Sequence, residues 1–137
     1  MVHAESGCGP DRAVATARLG TLAEAGVTFA LHSDYNLVVG PMAPLTAAWV
    51  AVNRVAGDDE TVMAPGERIS VDRALRAVTV DAAFVLRRDH EIGSLEVGKL
   101  ADLAILDSDP YEVEPSALRD VPVLGTIVGG TPYLAND

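Results

Sequence analysis

Apolar residues fall at helical spacing through the first part of this chain and in short, strand-like runs through the last part. From Asp11 the stretch DRAVATARLGTLAEAG repeats Val14, Ala17, Leu22 and Ala25 at helical intervals. Asp11 suits an N-cap and Gly26 the position just past a C-terminus, so the pattern predicts a helix over 12–25. The run VTFALHS that follows is apolar and carries β-branched and aromatic members. It is bounded by Gly26 and the polar pair Ser33-Asp34, which predicts a buried strand over 27–32. Helix, glycine turn and apolar strand together form the αβ half of a repeating α/β unit.

Further along, YNLVVGPMAP reads as a loop punctuated by Gly40, Pro41 and Pro44. LTAAWVAVNRV predicts a helix over about 44–56 with Pro44 in its first turn, where a missing N–H costs nothing. A polar loop then leads to Ser70, which caps a predicted helix over 70–86. Asp72 lies in its first turn and Arg87 and Arg88 near its end, each at the pole that suits its charge. After RDHEIGSLEVG the pattern changes: KLADLAILD is a bounded apolar strand, and Asp109-Pro110 makes a turn. PSALRD is at most one helical turn, and VPVLGTIVGGTPYL reads as two strands joined at Gly129-Gly130. The chain thus divides into a helical portion, 1–90, and a β-rich portion, 91–137, and the class is α/β.

Composition narrows the reading. At 137 residues the chain has the size of one ordinary domain. With 49% hydrophobic but only 4% aromatic residues, its core must be built mainly from Ala, Val and Leu. A formal charge of −10, from 20 acidic and 10 basic residues, disfavours nucleic acid, whose binding is driven by Lys and Arg. No polybasic stretch suits an anionic membrane, and no apolar run reaches the roughly 18 residues of a membrane span. The start MVHAESGCGP lacks the pattern of a signal peptide. The single cysteine, Cys8, cannot make an internal disulfide, so a reducing, cytoplasmic location is expected.

Asp34 is the first candidate for chemistry. An aspartate at the tip of a buried strand is either a turn residue or a metal ligand and proton acceptor, as at the C-terminal end of a barrel strand. Taken alone, the residues favour the turn. His32 lies two positions earlier, on the same face of an extended strand, and suits a satisfied core histidine better than a ligand. His3 and His90 read as solvated, and Cys8 has no base beside it to make it a nucleophile. The acidic run Asp107 to Glu112 lacks the central glycine and ligand spacing of a calcium loop.

The C-terminal stretch IGSLEVGKLADLAILDSDPY with VLGTIVGGTPYL closely resembles the end of amidohydrolase-superfamily chains, in the branch called amidohydrolase family 3. Gly93, Ser94, Gly98, Lys99, Ala101, Asp102 and Asp107 match a recurrent G-S-x-x-x-G-K-x-A-D-x-x-x-x-D pattern. GVTFALHSDYN resembles the eighth barrel strand of that family, and the likeness extends over about residues 9–134. The branch includes enzymes resembling D-aminoacylases and N-substituted formamide deformylases. The resemblance implies a metal-dependent hydrolase of C–N bonds, with this chain forming the last βα portion of a (β/α)8 barrel and C-terminal strands of a small β-sandwich beside it. It implies that Asp34 is a catalytic metal ligand and proton carrier, that the metal is a divalent ion, zinc, and that Lys99 and Asp102 are structural.

A (β/α)8 barrel takes about 250 residues and eight strands, whereas this chain offers one candidate barrel strand. It has three histidines and no H-x-H pair, and a catalytic zinc normally takes three protein ligands. Asp34 is therefore expected to act only in a complete barrel, and this chain alone to bind no metal tightly and hydrolyse nothing. A small-molecule substrate belongs to the completed barrel, and the loop 35–44, with Tyr35, Asn36 and Met42, is the only part of its wall this chain supplies. Open strand edges point to a homo-oligomer. The alternative is a non-catalytic, β-containing assembly module.

Overall fold

The computed structural model describes residues 12, 17–32, 43–55 and 61–135. Asp34 lies outside the described residues, as do His3, Cys8, Tyr35, Asn36 and Met42. Helix α1 spans Leu19–Glu24. The expected helix does not run unbroken over 12–25, because Ala17 takes a left-handed φ of 51°. Its carbonyl accepts bonds from Leu19 N at 2.8 Å and from Arg54 Nη1 at 3.0 Å, which holds it out of a helical ladder. After α1, Gly26 N donates to Ala23 O and Val27 N to Leu22 O, closing the helix end with two turn bonds.

The predicted strand over 27–32 is not a strand: these residues pair with no other strand among those described. A strand exists through its neighbours, and Leu31 N instead donates to Ala77 O at 3.0 Å. Phe29 and Leu31 pack against the main core.

Helix α2, Pro44–Asn53, carries Pro44 in its first turn, as read from the sequence. It stops short of residue 56 because Arg54 turns left-handed, with φ 57°. The Arg54 side chain is 1% exposed and donates from Nε to Met63 O at 3.2 Å. Burial lowers its pKa, opposed by the field of Glu67.

The span predicted as one helix over 70–86 is two, α3 (Val71–Val78) and α4 (Val80–Val85). Ser70 caps α3 as expected, its Oγ accepting from Arg73 N at 3.1 Å. The break falls at Thr79, with φ −126° and ψ −99°, inside the β-branched run Val78-Thr79-Val80. Gly93 packs into this junction: a Cβ there would lie 2.5 Å from Ala83 Cβ and 3.3 Å from Thr79 O.

The sheet has three antiparallel strands in the order β1-β2-β3: Leu103–Leu106, Val123–Val128 and Thr131–Leu134. Gly129 and Gly130 make the β2–β3 turn with φ of 55° and 82°, the two positive angles of a type I′ hairpin. Leu103 pairs with Ile127 and Ile127 with Pro132, and β1 is irregular between Ile105 and Leu106.

One core joins material from both sides of residue 90. Leu45, Ala48, Trp49 and Val52 of α2 meet Ala74 of α3 together with Leu118 and Val121. Leu118 belongs to the 3-10 turn Pro115–Asp120 and is fully buried. Trp49 Nε1 donates to Ser116 O at 2.7 Å, Asn53 Nδ2 to Pro115 O at 2.8 Å, and the Arg119 guanidinium lies 4.0 Å from the centre of the Trp49 ring.

Candidate functional site

The segment that leads to Asp34 is described up to His32, and a strap from α3 holds its first half. Arg73 Nη2 donates to Val27 O at 3.0 Å, and the same guanidinium lies 4.1 Å from the centre of the Phe29 ring. The other side of the Arg73 fork pairs with Asp81 of α4. Asp81 is 8% exposed, and its second oxygen faces Arg76 at 3.7 Å. Two guanidinia therefore offset one buried carboxylate, which is what a buried acid requires. This ion cluster, with the Leu31 bond to Ala77, fixes the course of residues 27–31 against α3.

Sequence reasoning did not single out Arg73, Arg76 or Asp81. The two arginines stand three apart on a helix, a spacing shared by ordinary surface pairs, and no pattern links them to Phe29 more than 40 residues earlier.

His32 is exposed at the end of the segment. His90 is likewise exposed, with Nε2 3.5 Å from Glu91 Oε1, in keeping with a solvated position. Among the described residues no group of three His, Cys, Asp or Glu side chains is placed to hold a metal ion. These residues do not fit a catalytic zinc on their own, since such a site takes three protein ligands.

The glycine-lysine motif makes local bonds. Lys99 Nζ donates to Ser94 Oγ at 2.7 Å, and Ser94 Oγ donates to Glu96 Oε1 at 2.5 Å. The Ser94 bond, followed by the Lys99 bond and charge, lowers the Glu96 pKa. Glu96 is thus held ionised, and its bonds to Ser94 and Lys99 close the loop. Asp102 Oδ1 accepts from Gly129 N at 2.6 Å, tying the approach to β1 to the β2–β3 turn. Glu67 bridges a second junction: it accepts from Thr21 N at 2.8 Å, from Thr21 Oγ1 at 2.7 Å and from Arg18 Nε at 3.3 Å. The bond from the Thr21 N–H is the leading cause of its lowered pKa.

A sequence profile described as "Amidohydrolase family" matches residues 1–133. The N-substituted formamide deformylase of Arthrobacter pascens is 38% identical over 112 residues, covering 80% of this chain and 20% of that protein. The imidazolonepropionase of Bacteroides fragilis is 33% identical over 119 residues, covering 85% of this chain and 25% of that one. Among solved structures, a zinc-bound adenosine deaminase from Xanthomonas campestris superposes with a TM-score of 0.65 at 25% identity, covering 86% of this chain and 28% of that one. The chain spans between a fifth and about a quarter of the length of the relatives it matches. The profile encloses the anchored segment, the position of Asp34 and the glycine-lysine loop in one continuous match, and on that ground the chain belongs to the amidohydrolase family.

Proposed function

We propose that this chain supplies the final part of a metal-dependent hydrolase that cleaves non-peptide, amide-type C–N bonds. In this reading residues 27–32, unpaired among the residues described, become the last strand of a (β/α)8 barrel once the neighbouring strands are present, and 91–137 contribute strands to a small β-sandwich beside it. The observation that carries it is the unbroken family match across residues 1–133, which takes in Asp34 at the end of the segment strapped to α3. Relatives named as a deformylase and an imidazolonepropionase support C–N bonds as the target. Zinc in the adenosine deaminase structure supports a divalent metal for the complete enzyme. Its further ligands are not supplied by the residues described here.

The part assigned to Asp34 is that of ligand and proton carrier. A carboxylate beside the attacking water accepts its proton as oxygen adds to the acyl carbon, then delivers that proton to the departing nitrogen as the C–N bond breaks. Without the rest of the barrel this chain hydrolyses nothing. Transplantation tests both halves of the proposal. Residues 1–133 replace the matching segment of the Arthrobacter pascens deformylase, and hydrolysis of an N-substituted formamide is compared with that of the isolated chain. The chimera turns over and the isolated chain does not. Stoichiometric zinc with turnover in the isolated chain, or a folded, zinc-loaded chimera without turnover, overturns the reading.

The edges of the sheet support assembly. Among the described residues β1 and β3 have no outer neighbours. Gly130 N donates to Ala101 O and Ala135 N to Leu124 O, which fixes the alternation of inward and outward groups. Ala104 and Leu106 then point their backbone groups out of the β1 edge, and Pro132 and Leu134 out of β3. Proline has no N–H, so β3 is blunted and β1 is the open template. A partner strand, in a second copy or in the remainder of the hydrolase, is proposed to pair with β1.

A further inference from the structure

A polar cleft of about 190 Å³ opens beside the turn that ends α1. Gly26, Val27 and Thr28 form one wall, and Arg73, Arg76 and Asp81 the other. It lies at the start of the segment that ends at Asp34, six residues before it, and no step assigned to Asp34 uses it. The chain carries twice as many acidic as basic residues, yet two of its arginines converge here on one carboxylate. The charged groups that line the cleft itself balance to one net positive charge.

The two arginines are in different states. Arg73 is committed, to Asp81, to Val27 O and to the face of Phe29. Arg76 approaches Asp81 at 3.7 Å, beyond hydrogen-bond reach, and acts electrostatically on Tyr111; its side chain is about half exposed. The Thr28 hydroxyl likewise has no hydrogen-bond partner among the described residues. Asp81 lies between the two guanidinia and offsets one of their two charges. Asp72, one turn before Arg76 on α3, accepts from Tyr111 Oη at 3.3 Å. A planar guanidinium with donors to spare and a hydroxyl in the same small cleft are groups that bind an oxyanion. The volume falls below the range of a drug-sized pocket and suits a group of a few heavy atoms.

We infer that this cleft is an oxyanion site, in which Arg76 and Thr28 receive a carboxylate or phosphate group and Arg73 acts as the fixed wall. The anion comes either free in solution or as an acidic side chain of a polypeptide packed against this face.

The ¹⁵N-labelled full chain, titrated with sodium phosphate, sodium acetate and a blocked Gly-Glu-Gly peptide, tests this against sodium chloride at matched ionic strength. Expected are saturable amide shifts at Gly26, Thr28 and Arg76 with one or more of the three oxyanions and none with chloride. Tighter binding of phosphate identifies a free anion, and tighter binding of the peptide identifies a polypeptide carboxylate. Arg76→Gln weakens binding about tenfold, the loss of one charge-assisted contact at a partly exposed site, with anion-free spectral changes confined to the Asp81 cluster and residues 27–31. Thr28→Val weakens it less. Shifts no larger than those from chloride, or an Arg76→Gln protein that binds equally well, overturn the inference.

Discussion

Leu118 is the most direct probe of whether the C-terminal portion and the helices form one cooperative unit. Its side chain is fully buried in the cluster that also holds Leu45, Ala48, Trp49 and Val52 of α2. Leu118→Ala removes three carbons from that contact. At a site with no exposure, the lost transfer energy and the cavity together cost about 3 kcal/mol, within the range of about 2–5 kcal/mol for such truncations. The assay is supplied by the chain itself. Trp49 is its only tryptophan, is 6% exposed, and is bonded through Nε1 to Ser116 O. Its fluorescence in a urea titration therefore reports the docking of the 3-10 turn on α2. Leu134→Ala on the exposed β3 edge is the control and shifts the midpoint by less than about 0.5 kcal/mol equivalent. Equal shifts for the two variants, or a cost below about 1 kcal/mol for Leu118→Ala, refute the reasoning, since the turn would then not be packed as described.

Three further outcomes follow from the same geometry. Gly93→Ala forces a Cβ to within 2.5 Å of Ala83 Cβ at a φ of +93°, and thermal unfolding should show a loss of about 1–3 kcal/mol or more. Glu67 has its pKa lowered by its Thr21 and Arg18 bonds. Its stabilising effect is complete above the ordinary carboxylate range and lost as pH falls through the depressed value, so Glu67→Gln should flatten the acid limb of the stability profile and leave its alkaline limb unchanged. An unchanged acid limb would show that these bonds do not persist in solution. Pro132→Val restores an outward N–H to the β3 edge and should raise self-association in concentration-dependent light scattering; no rise would show that Pro132 is not what protects that edge.

How far the sequence disclosed this arrangement depended on the range of the interaction. Pro44, Ser70 and Gly129-Gly130 act on their own neighbours, and each marks the helix start or hairpin turn it was expected to mark. The break at Thr79 was concealed because the surrounding residues keep a helical pattern, and Gly93, which packs into the junction, comes from 14 positions later. Arg54 reads as one more polar residue in a helix, and only its bonds to Met63 O and Ala17 O show why α2 stops where it does. Residues 27–32 have a strand's composition and, among the described residues, no strand beside them, because pairing is a property of two segments and composition of one. For the candidate site, the sequence directed attention to Asp34 through a motif, and the structure added the Arg73–Asp81–Phe29 strap that holds the segment before it. Nothing in the spacing of those three residues foretold that they would meet.

The role of Asp34 is decided by kcat for formamide hydrolysis by the chimeric deformylase carrying residues 1–133, with and without Asp34→Asn. A residue that carries a proton in the reaction predicts a loss of about 100-fold or more, with folding and expression unchanged. An Asp34→Asn chimera that turns over at the parental rate would contradict the account and return Asp34 to the role of a turn residue.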